Sequence, residues 1–141
     1  GGGQAVQVDP EGACSAGNVM HELGHALGYL HEHTRPDRDA YVGVRERAVH
    51  RSYAHNFDKE APEYSRYGLL SGAEYDYGSI MHYGVNFFSA NGSDTIILDE
   101  DEYQEYQARH PRYAVGQRAY LTAQDRALAA GAVGAGGAAA G

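Results

Sequence analysis

The chain has 141 residues, a formal net charge of −8 with histidines neutral, and a single cysteine. That length fits one domain with a modest core. The acidic balance argues against a nucleic-acid partner, and no apolar run is long enough to span a bilayer. Twelve tyrosines and no tryptophan predict half-buried rings whose hydroxyls need partners. In chain order, residues 4–8 read as a short strand. Ser15 is a candidate N-cap for a helix over 16–28, with Met20, Leu23, Ala26 and Leu27 available for packing. Arg35-Pro36-Asp37 interrupts regular structure. Residues 44–49 read as one or two helical turns. Gly and Tyr are dense from 64 to 92, which predicts irregular, loop-rich structure, and 95–98 read as a short strand. Thr122-Ala123-Gln124-Asp125 resembles a capping signal that opens a last helix to about Ala130. Residues 131–141 contain only Gly, Ala and one Val and are expected to form a disordered low-complexity tail.

The first helix carries the chemistry. Residues 21–31 read His-Glu-Leu-Gly-His-Ala-Leu-Gly-Tyr-Leu-His, the pattern HExxHxxGxxH. His21 and His25 lie four apart, so on a helix their imidazoles share one face and can share one metal ion. Gly28 can adopt a positive φ that ends the helix and turns the chain, which lets His31 return as a third ligand. Three neutral nitrogens leave a tetrahedral zinc ion with one open position, the arrangement of a catalytic rather than a structural site. Glu22 is placed to act as general base on the attacking water and then to return the proton to the leaving amine. A solvated helix carboxylate flanked by surface histidines is the plainer reading, and the glycine and third histidine at fixed offsets argue against it.

The pattern also asks for a methionine turn downstream, and Ser79-Ile80-Met81-His82-Tyr83 resembles it. Together with Glu32-His33-Thr34-Arg35-Pro36-Asp37-Arg38-Asp39-Ala40-Tyr41-Val42, Asn56-Phe57, Tyr75-Asp76-Tyr77-Gly78, Phe88-Ser89, Thr95-Ile96, Gly116-Gln117-Arg118, Leu121-Thr122 and Asp125, these segments make roughly residues 1–128 similar to the astacin family of metzincin metalloproteases, most of all to its tolloid branch, with a partial peptidase domain expected over 1–130. The resemblance implies an α+β, metzincin-like catalytic domain, consisting here of the active-site helix and the loop-rich C-terminal part with its final helix. It implies one zinc ion per chain held by His21, His25 and His31, protein or peptide substrates, and secretion. It assigns Tyr83 as an extra zinc ligand that swings away on substrate binding and then donates to the oxyanion. By residue type alone, Tyr83 reads as a core tyrosine with a satisfied hydroxyl.

The family's domain has a further stretch ahead of the zinc helix, so the chain is expected to carry only part of it. Cys14 lies near the position of a family disulfide cysteine whose mate would be upstream; a small buried thiol is the alternative. Glu32 resembles a glutamate linked in the family to the mature N-terminus, with only local contacts expected here. Arg35, Asp37, Arg38 and Asp39 are expected to brace the loop under the site as ion pairs. His82 is expected to be structural, and His33, His50, His55 and His110 to be surface or structural residues. Two functions follow: a zinc metalloendopeptidase, or a truncated, catalytically impaired interaction module stabilised by zinc. Retention of Glu22 favours the enzyme.

Overall fold

The computed structural model describes residues 15–60 and 73–137, the side chains of 132–137 excepted. The expected strand at 4–8 and Cys14 lie outside the described residues. Helix α1 spans Ala16–Ala26. The Ser15 hydroxyl accepts from the Asn18 N–H at 3.2 Å, so the expected cap is present. Gly28 has φ +92°. The Tyr29 N–H donates to the Gly24 carbonyl and the Gly28 N–H to that of His25, each at 2.9 Å. This pair of bonds is the Schellman closure that a left-handed glycine permits.

Two glycines dock α1. A Cβ on Gly17 would lie 1.5 Å from the Arg118 carbonyl oxygen, and one on Gly24 would lie 2.7 Å from the Met81 sulfur. The helix therefore presses backbone against the chain at Arg118 and against the methionine turn. Of the four residues expected to pack, Met20 packs beside Ile80 and Met81. Leu23 and Leu27 do not; they remain 48% and 44% exposed. They are one turn apart on one strip of α1, and the docked strip is the one bearing Gly17 and Gly24.

Beyond α1 the chain is held mainly by side chains. Single 3₁₀ turns at Glu32–Thr34, Arg38–Ala40 and Glu46–Ala48 and a longer one at Arg51–Phe57 surround strand β1, Val42–Val44. The expected helical turns at 44–49 are thus a strand end followed by a 3₁₀ turn. Strand β2, Ile96–Leu98, pairs antiparallel with β1, with Val42 opposite Leu98 and Val44 opposite Ile96. Residues 73–92 are irregular apart from a single bridge from Ser89 to Val49, as their composition predicts. Their Tyr75, Tyr77 and Tyr83 rings join Tyr106 in the larger core, where they meet Val42, Val49, Phe57 and Ile96.

Helix α2, Glu100–Arg109, is not anticipated from the sequence. Its start is marked all the same: the Asp99 carboxylate accepts from the Glu102 N–H at 3.1 Å, and Glu100, Asp101 and Glu102 complement the helix dipole. Helix α3, Ala123–Gly137, opens with a reciprocal box. The Thr122 N–H donates to Asp125 Oδ2 at 3.0 Å and the Asp125 N–H to Thr122 Oγ1 at 3.1 Å. It runs past Ala130, which corrects the expectation of a disordered tail from 131. The capped first turn and the Ala-Leu-Ala-Ala run at 127–130 favour its start. Residues 131–137, four of them glycine, have low intrinsic helix propensity, and nothing in the sequence explains the helix there. No helix among the described residues is long and apolar enough to cross a membrane.

Candidate metal centre

The Schellman turn at Gly28 brings His31 back over α1. The ligand atoms of His21, His25 and His31 all lie within 4.8 Å of one another. Their ring centroids are 4.6 to 5.2 Å apart, with His25 edge-on to both others. His21 Nε2 and His31 Nε2 are separated by 3.2 Å. Two nitrogens about 2.0–2.1 Å from a tetrahedral zinc stand roughly 3.3–3.4 Å apart. The His21–His31 spacing therefore fits zinc, and His25 lies within reach of the same point.

The tautomers fit as well. His21 Nδ1–H donates to the Ile80 carbonyl at 2.8 Å and His25 Nδ1–H to the Tyr29 carbonyl at 2.9 Å. Both bonds put the proton on Nδ1 and leave Nε2 bare for a metal. Burial lowers the His21 pKa against the pull of the Ile80 bond. Burial, aided by His25 and His21, brings His31 down to about 3. Both rings are thus neutral near pH 7, the form that ligates.

Glu22 is exposed and has no hydrogen-bond partner among the described residues. Its charge nonetheless bears on His21, Tyr83 and Arg118, so the carboxylate stands on the ligand side of α1. Met81 is 2% exposed and lies under Gly24, one turn from His21. The Tyr83 ring is 4.5 Å from the His31 ring and stacks on His33 at 4.0 Å. It thus packs against one candidate ligand, His31, from within the larger core. Its hydroxyl makes no hydrogen bond to another described residue, unlike a satisfied core tyrosine. Burial raises its pKa, which keeps the phenol protonated and able to donate.

The surroundings explain the other histidines and the ion pairs. His82 is fully buried; its Nδ1–H donates to the Tyr83 carbonyl at 2.7 Å, and its Nε2 accepts from the Tyr75 hydroxyl at 2.8 Å. His33 is also fully buried and donates Nε2–H to the Asn56 carbonyl at 3.0 Å. His50 caps the Arg51–Phe57 turn by accepting from the Ser52 N–H. His110 packs between Tyr106 and Tyr113, and His55 is exposed. Arg35 is buried between Glu32 at 2.7 Å and Asp37 at 2.9 Å. Burial pushes Glu32 up to about 7, against the pull of Arg35. The same Glu32 carboxylate accepts from the Asp76 N–H at 2.9 Å, which ties the third-ligand segment to the methionine turn. Arg38 and Lys59 pair separately with Asp39.

One residue of the site was missed. Arg118 donates to the His82 carbonyl at 3.1 Å, and its half-buried guanidinium bears on His21, His31 and Tyr83. The sequence cue was its place after Gly116-Gln117, with no sign of which surface it would reach.

A family profile described as Astacin, a peptidase family, matches residues 1–130. The chain belongs to the astacin family. It is 40% identical over 126 residues to zinc metalloproteinase nas-14 of Caenorhabditis elegans, a match covering 89% of this chain and 22% of that protein. It is 38% identical over 130 residues to bone morphogenetic protein 1 of Xenopus laevis, covering 92% and 17%. High choriolytic enzyme 1, a hatching enzyme zinc-protease from Oryzias latipes, shares its fold with a TM-score of 0.64 at 37% identity, covering 82% of this chain and 51% of that one. The chain thus spans about half of that solved structure and about a fifth of those curated relatives. An α+β fold of metzincin type follows from this match and from the helices and small sheet described above.

Proposed function

We propose that this chain is the zinc-binding part of a metalloendopeptidase that hydrolyses peptide bonds in proteins, with one zinc ion held by His21, His25 and His31. The observation that carries the reading is the convergence of three imidazoles, two with the proton fixed on Nδ1, beside a glutamate with no partner among the described residues. When bound, zinc supplies a Lewis acid toward water and the scissile carbonyl. Glu22 accepts the proton of the attacking water and delivers it to the leaving amine. The Tyr83 phenol, neutral and unengaged, stands beside His31 to ligate in the resting site and to donate to the oxyanion during reaction. The family match supports action outside the cell, and the similarity to bone morphogenetic protein 1 supports the tolloid branch.

The test is proteolysis of an unfolded protein by the zinc-loaded chain, beside Glu22→Gln. Glutamine keeps the shape but accepts no proton. Loss of a general base lowers rate by about 10²–10⁴, with zinc retained. Cleavage by the variant within a few-fold of wild type would refute the role of Glu22. Full zinc with no cleavage by the wild type would instead favour the interaction module.

A further inference from the structure

Four groups connect the last helix to a zinc ligand. The His21 Nδ1–H donates to the Ile80 carbonyl at 2.8 Å. That carbonyl belongs to the peptide unit whose N–H, on Met81, donates to Ser79 Oγ at 3.0 Å. The Ser79 hydroxyl in turn donates to Asp125 Oδ1 at 2.7 Å. The second oxygen, Oδ2, accepts from the Ile80 N–H at 3.0 Å. Ser79 is 3% and Asp125 4% exposed, so solvent does not replace these bonds. Every donor along the line points toward the carboxylate. In such a chain each bond polarises the next, so the negative end makes the Ile80 oxygen a stronger and better fixed acceptor.

We propose that Asp125 and Ser79 are positioning residues of the metal centre, which hold the Ile80–Met81 peptide so that it fixes His21 with Nε2 bare toward zinc. The arrangement is a carboxylate–histidine–metal relay lengthened by a hydroxyl and one peptide unit. Partners behind a metal-bound histidine commonly alter affinity about 10–100-fold. His25 has no such extension among the described residues: its acceptor, the Tyr29 carbonyl, belongs to the closing turn of α1 itself. The loop and the last helix are thereby tied to one ligand of the three. The inference rests on the three-histidine zinc site proposed above.

The test is the zinc dissociation constant of the full 141-residue chain, measured by competition with a chelator at fixed pH. Asp125→Asn and Ser79→Ala are compared with Thr122→Val. The last variant removes the Thr122 hydroxyl from the α3 cap and leaves the line to His21 intact. Asp125→Asn should weaken zinc at least about tenfold, by the range for such partners. Ser79→Ala should weaken it in the same direction, and the Co²⁺-substituted protein should show an altered visible spectrum in both. Thr122→Val should lower Tm and leave zinc affinity within twofold. Should Asp125→Asn fail to fold, Ser79→Ala decides. Wild-type affinity in the folded relay variants, or equal weakening by Thr122→Val, overturns the relay while the three-histidine site stands. A wild-type chain that binds no zinc overturns both.

Discussion

At the scale of single residues, the site depends on which side chains are left unengaged. Among the described buried tyrosines near the turn, Tyr75 donates to His82, Tyr77 to the Tyr41 carbonyl and Tyr106 to Asp76, while the Tyr29 hydroxyl, packed in the cluster of Ile80 and Met81, has no partner. Tyr83 is the unengaged ring that packs against His31. Tyr83→Phe removes one donor and keeps the stack on His33 and the three histidines. In an active preparation kcat should fall roughly 10²–10³-fold, as for loss of one oxyanion donor. KM and zinc content should change little, since the lost interaction belongs to the transition state. A Tyr83→Phe chain with kcat within a few-fold of wild type would withdraw Tyr83 from the reaction and leave the zinc site in place.

At the scale of elements, α1 carries two of the three proposed ligands and is docked through its glycines. Gly17→Ala sets a Cβ against the backbone of Arg118, which no rotamer change relieves. Overpacking typically costs about 1–3 kcal/mol, and a backbone obstacle belongs at the upper end. Gly24→Ala meets the Met81 thioether, which is flexible, so its cost should be smaller. Urea unfolding of both variants checks the order; an unchanged midpoint for Gly17→Ala would mean that α1 does not sit against Arg118 as described. The zinc helix was legible because its signals are local: cap, ligands and closing glycine fall within Ser15 to His31. Helix α2 was not read because it buries little more than Tyr106, so no apolar period marks it, although Asp99 and three acids do. Asp125 was legible as a cap. Its bonds to Ser79 and Ile80 cross 46 and 45 positions, and no short pattern encodes a partner that far away.

At the scale of the whole molecule, the buried imidazoles set the response to acid. Burial holds His82 at about 4 against an ordinary 6.5, and it pushes His33 well below 6.5 too. The folded chain keeps these rings neutral while the unfolded chain takes up protons below 6.5. Stability is therefore full above about 6.5 and is lost as pH falls toward 4, at roughly 1.4 kcal/mol per unit for each ring. Glu32, raised to about 7, opposes part of this loss, since the folded chain holds its proton up to pH 7. Urea midpoints at pH 7, 5.5 and 4.5 should fall in that order; a midpoint flat across the window would mean that these rings protonate without unfolding the chain. Bound zinc should add to stability by mass action, by about 2.7 kcal/mol at a hundredfold excess over Kd. The central claim, that His21, His25 and His31 make one zinc site, is tested most directly by the metal content of the purified chain, measured by mass spectrometry beside His25→Ala. About one zinc per wild-type chain and almost none in the variant is the expected result for a single three-histidine site. Equal zinc in both, or none in the wild type after loading, would contradict it.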